Sequence, residues 1–294
     1  MQIYHRIVSH PEDPFWLEIS FLDLPIEVGA LNSVSLAEDD PRWPEVERLV
    51  AHYQAADHVA TRFAQEELDS AEWLTVWATG HQGYPKPENG YFERTYDPTS
   101  CRRCGIHGAQ LAPFRFSGEP RSKRIQFLQL HWVYDEFFVR HETRDVLARE
   151  GITGIEFGPI LVSRKGEASR EASQVKVLHA LPPALDVSGL QTVTCVPDNE
   201  ESSSSLHPCG VDYQPPPLPY CQRVKYHHQK RGCLRFSACV FNGAPDLVKT
   251  CEWFGSGGAA SQIVIVSQRF HQLVNAQKWR GLAFEPIELI HSPA

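Results

Sequence analysis

A pattern that occurs twice constrains this chain more than any other feature. Near the C-terminus, Ile263-Val264-Ile265-Val266-Ser267 reads as a strand, Gln268 to Lys278 as a helix, and Gly281-Leu282-Ala283-Phe284-Glu285-Pro286-Ile287 as a second strand. An earlier copy runs from Phe137-Phe138-Val139 through Arg140 to Glu150 and on to Gly154-Ile155-Glu156-Phe157-Gly158-Pro159-Ile160. Val139 and Val266 are 127 residues apart, as are Gly154 and Gly281, Phe157 and Phe284, and Pro159 and Pro286. A shared G-x-x-F-x-P-I ending behind helices of one length indicates a repeated supersecondary unit. Such a unit normally sets two parallel strands side by side beneath a crossover helix. The fold class expected is α+β: mixed β-sheets with peripheral helices, two related strand–helix–strand units and, at Cys101-x-x-Cys104-Gly105, a zinc-knuckle-like insertion.

At 294 residues the chain is long enough for a large core, as one big domain or two intimate ones. The net charge is −8, and residues 1–100 hold 18 acidic against 6 basic side chains. That acidic stretch disfavours general nucleic-acid binding and favours a basic partner, or simply a solvated surface. No apolar run approaches the ~20 residues of a membrane helix, and Met1 to Arg6 shows no secretory signal. The expected location is the cytoplasm, where the eight cysteines are thiols or metal ligands rather than disulfides.

Three portions are expected: an acidic N-terminal α+β part (1–100), a knuckle-containing part with the first repeat unit (101–235), and the second unit (236–294), all within reach of being one continuous domain. Ile3 to Val8, Trp16 to Phe21, His58 to Phe63, Trp73 to Ala78, Tyr91 to Tyr96 and Ile125 to Val133 read as strands. The helix opened by Pro44 carries Val46, Leu49, Val50 and Tyr53 on one stripe, and Gln65 to Ala71 reads as a short helix. Pro245 to Val248 suggests a helical turn. Residues 197–219, with an acidic-serine run and Pro215-Pro216-Pro217, read as an exposed loop.

The sharpest chemical signal is Cys101-x-x-Cys104-Gly105. Two thiolates at this spacing grip one Zn2+ from a tight turn, and the glycine leaves N–H groups facing the sulfurs. One pair is half a tetrahedral site. The second half is expected between His207 and Cys221: Cys221 precedes the strand-like Gln222 to Tyr226, and Cys209 precedes Gly210 as Cys104 precedes Gly105. The ligand set expected is therefore Cys101, Cys104, Cys209 and Cys221, with Cys195 and His207 as substitutes. Four protein ligands would make the ion structural. His107 is expected just outside the site. His227-His228, with Lys225, Lys230 and Arg231, reads as a basic, solvated strand end. Gly255-Ser256-Gly257-Gly258 lacks the lysine and the following helix of a phosphate loop and reads as a turn. An enzyme would need a pocket near Trp253, Phe254 and His271 acting on a nucleotide or peptide, or a thiol of Cys239 or Cys251 activated by His271.

Taken together, the Cys101–Gly105 knuckle, Cys221 before Val224-Lys225-Tyr226, and the ending Ile265-Val266-Ser267-Gln268-Arg269 … Gly281 to Pro286 resemble the double-CxxCG-motif family of bacterial proteins grouped with the immunity proteins of polymorphic toxin systems. The second C-x-x-C-G is degenerate here: Leu218 and Leu206 stand three residues before Cys221 and Cys209. The resemblance implies a non-enzymatic cytoplasmic protein that neutralises a cognate toxin by direct binding. A zinc-stapled scaffold is the third reading.

Overall fold

The computed structural model describes residues 1–120, 124–163, 165–196 and 221–291. In chain order the first elements are β1 (Gln2–Ser9), α1 (Phe15–Ser20), β2 (Ile26–Glu27), β3 (Asn32–Ala37), α2 (Trp43–Tyr53), β4 (Ala56–Arg62) and α3 (Gln65–Ser70). Next come β5 (Trp73–Ala78), α4 (Tyr91–Thr95), β6 (Arg115–Phe116), β7 (Phe127–Leu130), β8 (Val133–Arg140), α5 (His141–Arg149), β9 (Ile155–Val162) and β10 (Glu167–Val177). The chain closes with β11 (Thr192–Thr194), β12 (Val224–Tyr226), β13 (Arg235–Ser237), β14 (Leu247–Lys249), β15 (Val264–Ser267), α6 (Gln268–Ala276), β16 (Leu282–Pro286) and β17 (Glu288–Ile290). The fold is α+β. No helix among the described residues is long and apolar enough to cross a membrane.

Two compact units form: Met1–Ala71 with Gln229–Leu234, and Glu72–His228 with Arg235–Ala294. The division falls after residue 71 rather than near 100, because β5 is a strand of the C-terminal sheet. The first unit is a sheet of order β2-β3-β1-β4. Its core gathers Ile7, Phe15, Ile19, Val34, Trp43, Val46 and Leu49. Trp16 to Phe21, expected as a strand, is largely the helix α1. The Asp13 carboxylate accepts the Phe15 N–H at 2.9 Å, and Phe15, Trp16 and Ile19 bury one helical face while Leu17 and Phe21 stay exposed. Packing on a 3.6-residue period overrides the apparent alternation.

The second unit contains the duplication, and its register makes the repeat explicit. In the first copy β8 and β9 both run antiparallel to β10; in the second, β15 and β16 both run antiparallel to β5. The two strands of each repeat are thus parallel, as expected, but an antiparallel strand lies between them. Val175 of β10 faces Phe137 and Phe157, while Val76 of β5 faces Val264 and Phe284. These partners are related by the same 127-residue offset, so 173–175 and 74–76 occupy equivalent positions. The central strand comes from downstream in one copy and from far upstream in the other.

Reciprocal edge contacts join the copies. The Leu247 N–H donates to the Thr153 carbonyl at 3.2 Å, and the Gln126 N–H to the Arg280 carbonyl at 3.0 Å. The Thr153 N–H donates to the Asp246 carboxylate and the Arg280 N–H to the Gln126 side chain, at 2.9 and 2.8 Å. Thr153 and Arg280 are again 127 apart. Gly154 (φ 83°) and Gly281 (φ 102°) follow them. A Cβ on Gly154 would meet the Leu247 carbonyl oxygen, and one on Gly281 would lie 2.5 Å from that of Phe127. Only glycine permits both the left-handed backbone and the close approach.

Three further segments depart from the sequence reading. Tyr91 to Tyr96 is mostly helix α4, entered from Gly90 at φ 90°, with Phe92 and Tyr96 rings packed 5.3 Å apart across a turn. Ile125 to Val133 is a hairpin, turning at His131-Trp132 between β7 and β8. Pro245 to Val248 supplies β14, an edge strand pairing with β15 rather than a helical turn.

Candidate metal centre

Two short backbone devices deliver four sulfurs to one point. The first is the knuckle after α4. Asp97 fixes its approach by accepting the N–H groups of Thr99 and Ala109 at 2.9 and 2.8 Å. The turn closes through Cys101 N–H to the Ile106 carbonyl and Gly105 N–H to the Cys101 carbonyl, both 2.8 Å. Gly105 sits at φ 81°, and a Cβ there would lie 2.5 Å from the Gly258 carbonyl oxygen. The glycine turn Gly255 to Gly258 is therefore a backing for the knuckle, not a phosphate loop.

The second device is the antiparallel ribbon of β11 and β12. Its ladder continues through Cys195 N–H to the Arg223 carbonyl at 3.0 Å and Gln222 N–H to the Cys195 carbonyl at 3.1 Å, which sets Cys195 opposite Gln222 and Arg223, directly after Cys221 in the chain. Gln222 adopts φ 57° directly after Cys221, where Gly105 at 81° follows Cys104. The N–H two residues past each of these cysteines, Ile106 and Arg223, faces the preceding sulfur. The second knuckle is thus built without its glycine.

Cys101 Sγ and Cys195 Sγ are 3.8 Å apart, and Cys104 Sγ and Cys221 Sγ 3.6 Å. All four ligand atoms lie within 4.8 Å of one another. A disulfide would require about 2.0 Å, and none of the described cysteines forms one. A tetrahedral ion with bonds of about 2.3 Å spaces its sulfurs about 3.8 Å apart. The donor set fits a metal ion held by four thiolates.

Crowding shows in the proton affinities. Burial pushes the Cys104 thiol up to about 12 and raises that of Cys195. At Cys221 burial also acts upward, but hydrogen bonds from Arg223 and the neighbouring thiols outweigh it, bringing the group to about 6. Four thiolates need a cation to ionise together. Lys225 supplies one nearby charge. It is only 1 % exposed, and its ammonium donates to the carbonyls of Cys104, Gly257 and Ala259 at 2.8, 2.6 and 2.8 Å. Lys225 therefore ties the knuckle to its glycine backing and is no part of a solvated basic strand end. Its burial lowers its proton affinity, opposed by the four cysteines.

Of the expected ligands, Cys101, Cys104 and Cys221 are brought together, and the substitute Cys195 stands with them. Cys209 and His207 lie outside the described residues. His107 is outside the sulfur cluster. Its Nε2 lies 3.1 Å from Asp135 Oδ2 and its Nδ1 3.1 Å from the Gly108 carbonyl, so both ring nitrogens face acceptors. Burial opposes the charge, but Asp135 and these hydrogen bonds raise its proton affinity on balance.

The buried charges behind His107 had no signal in the sequence. Asp135 and Glu136 are adjacent on β8, and Lys249 of β14 reaches them at 3.9 and 2.7 Å. Gln174 of β10 donates to Glu136 at 2.7 Å. Such a network holds only because each charge is paired. Above it opens a cavity of about 420 Å³, lined in part by α4, the knuckle and Trp132.

The residues weighed for catalysis are dispersed. Trp253 stands edge-on to His107 at 4.7 Å, Phe254 packs on Tyr226 and His228, and His271 packs on Phe284. Burial, with Glu252, holds the Cys251 thiol up at about 11, a poor nucleophile, and Cys239 is exposed on another segment. Comparison with protein-family models and with curated proteins finds no match for this chain.

Proposed function

We propose that this chain is a zinc-stapled binding protein of the toxin-immunity kind, acting in the cytoplasm by direct contact with a protein partner. The observation that carries the reading is the four-sulfur cluster at tetrahedral spacing. Four protein ligands leave no open position for a substrate, so the ion is structural, and an all-thiolate tetrahedron suits Zn2+. It staples the knuckle to the β11–β12 ribbon. A reducing compartment keeps those thiols available.

Charge supports the choice of partner. The first compact unit holds 14 acidic and 6 basic residues, so the whole chain's net charge of −8 resides there. A basic toxin, such as a nuclease, is the complementary partner, and such complementarity speeds association and selects against wrong partners. The sequence resemblance to the double-CxxCG family points the same way.

The test is co-expression with the product of a neighbouring toxin-like gene. Rescue of growth and co-purification of the pair support the reading. Unrelieved toxicity with no complex, or a neighbourhood without such a gene, overturns it.

A further inference from the structure

The cavity beside the knuckle carries an inference that rests on the reading of this chain as a protein-binding protein and names what it grips. One wall is Tyr91 and Phe92 of α4, another is Trp132, the floor includes Asp135, and Glu88 and Glu93 stand at the lining.

Trp132 is the first clue. It occupies the turn between β7 and β8 at φ 71°, a left-handed conformation that suits glycine or asparagine and is unfavourable for a bulky side chain. Burial repays only part of the ring, because the residue is 44 % exposed. A bulky residue held in a strained backbone and left with an open ring face marks a place where the side chain serves something besides the fold. Its ring stands 4.5 Å from Tyr84 and 6.0 Å from Tyr91. Tyr84 and Tyr134 are exposed to a similar degree. Tryptophan and tyrosine presented together are the side chains that most often dominate a protein interface.

The second clue is the arrangement of carboxylates. Asp135 receives its hydrogen bonds at Oδ2, from His107 and from the Gln262 N–H; among the described residues none reaches Oδ1. Glu93 is paired with Arg102 at 2.9 Å and Glu88 with Lys86, both pairs substantially exposed. Exposed pairs contribute little, so either glutamate can exchange its partner at small cost. The cavity's own basic groups, Arg102 and His107, are paired to Glu93 and Asp135, and an anion would still meet three carboxylates here. A planar cation would meet aromatic faces and acceptors together. The guanidinium group is that cation: it stacks on aromatic rings and carries five donors in a rigid fork.

We propose that this cavity seats an arginine side chain of a protein partner, its guanidinium stacked on Trp132 and hydrogen-bonded to Asp135 and the rim glutamates. Both nitrogens of His107 are already engaged, so the cavity holds the cation rather than transforming it.

The test titrates arginine amide into the full-length, metal-loaded protein while following tryptophan fluorescence and ligand NMR. Citrulline amide, of the same shape with a neutral urea in place of the guanidinium, is the control. Saturable binding of arginine amide, at least about tenfold tighter than citrulline amide, supports the proposal. Trp132→Gly removes both the ring and the strain. It is expected to stay folded, relief of strain offsetting part of the lost packing, yet to bind arginine amide at least about fivefold more weakly. Glu93→Gln, at the rim, is expected to weaken binding about two- to threefold and to leave unfolding unchanged. Equal binding of the two amides, no binding of either, or undiminished binding by Trp132→Gly overturns it. Protection of poisoned cells by a protein that ignores arginine amide sinks the cavity assignment and leaves the immunity reading standing. Arginine amide binding without any protection does the reverse.

Discussion

Replacing Cys195 by alanine separates two ways of completing the metal site. Spacing alone favours Cys209, whereas the geometry sets Cys195 Sγ 3.8 Å from Cys101 Sγ, on the same cluster as Cys104 and Cys221. A structural zinc bound by a small domain is worth about 10–16 kcal/mol at neutral pH. Removing one of four thiolates forfeits roughly a quarter of that, about 2.5–4 kcal/mol, or on the order of a 10²–10³-fold loss of affinity. The substitution also frees the end of a ribbon with only three paired positions, Thr192–Thr194 against Val224–Tyr226, so the fold should soften there as well. The assay is competition with a chromophoric chelator, run in parallel on Cys195→Ala and Cys209→Ala, with one ion per chain checked by elemental analysis. Cys209→Ala is expected to hold zinc as tightly as the parent. Near-parental affinity in Cys195→Ala, together with a large loss in Cys209→Ala, would refute the assignment.

Four other substitutions test the supporting structure. Lys225→Met removes the ammonium from the carbonyls of Cys104, Gly257 and Ala259; urea unfolding should show a loss of about 2–4 kcal/mol, since these buried acceptors lose their donor. Gly281→Ala forces a Cβ to 2.5 Å from the Phe127 carbonyl oxygen at φ 102°, and should lower stability by about 2 kcal/mol or more in the same assay. Gly154→Ala, its equivalent in the other copy, should behave alike. Burial raises Glu285 to about 7 from the ordinary 4.5, so its folded-state proton affinity exceeds the unfolded one. Its contribution is then fully present below about pH 4.5 and lost as pH rises through about 7. Glu285→Gln should therefore leave the melting temperature unchanged near pH 4 and raise it at pH 8; a shift of equal size at both would show that the carboxyl charge is irrelevant.

The repeat was legible because its cause is local. A strand ending in G-x-x-F-x-P needs glycine at the approach to the other copy and an apolar residue facing the central strand, and both demands are written at fixed positions. What joins β15 to β16 was not legible, since β5 enters the sheet from nearly two hundred residues upstream and carries no mark of its partners. Cys101, Cys104 and Cys221 were readable from knuckle chemistry. Cys195 is readable only as a substitute, because it enters through strand pairing with Arg223 rather than through a motif of its own. Gln222 hid the second knuckle by adopting a backbone conformation usually left to glycine. Lys225 looked like surface charge because sequence alone does not show three carbonyls converging on one ammonium. The misread segments, Trp16 to Phe21 and Tyr91 to Tyr96, are short and aromatic; there strand propensity is decided by which face meets the core.

The duplication also bears on how the site is held. The Asp135–Glu136 pair comes from β8 of one copy and Lys249 from β14 at the edge of the other. The ion network under the cavity therefore joins the two copies.

X-ray absorption at the zinc edge of the purified full-length protein probes the staple most directly. The account requires a single shell of four sulfurs at about 2.3 Å, with one ion per chain. A shell containing nitrogen or oxygen, or a protein that folds fully without any bound metal, would contradict it.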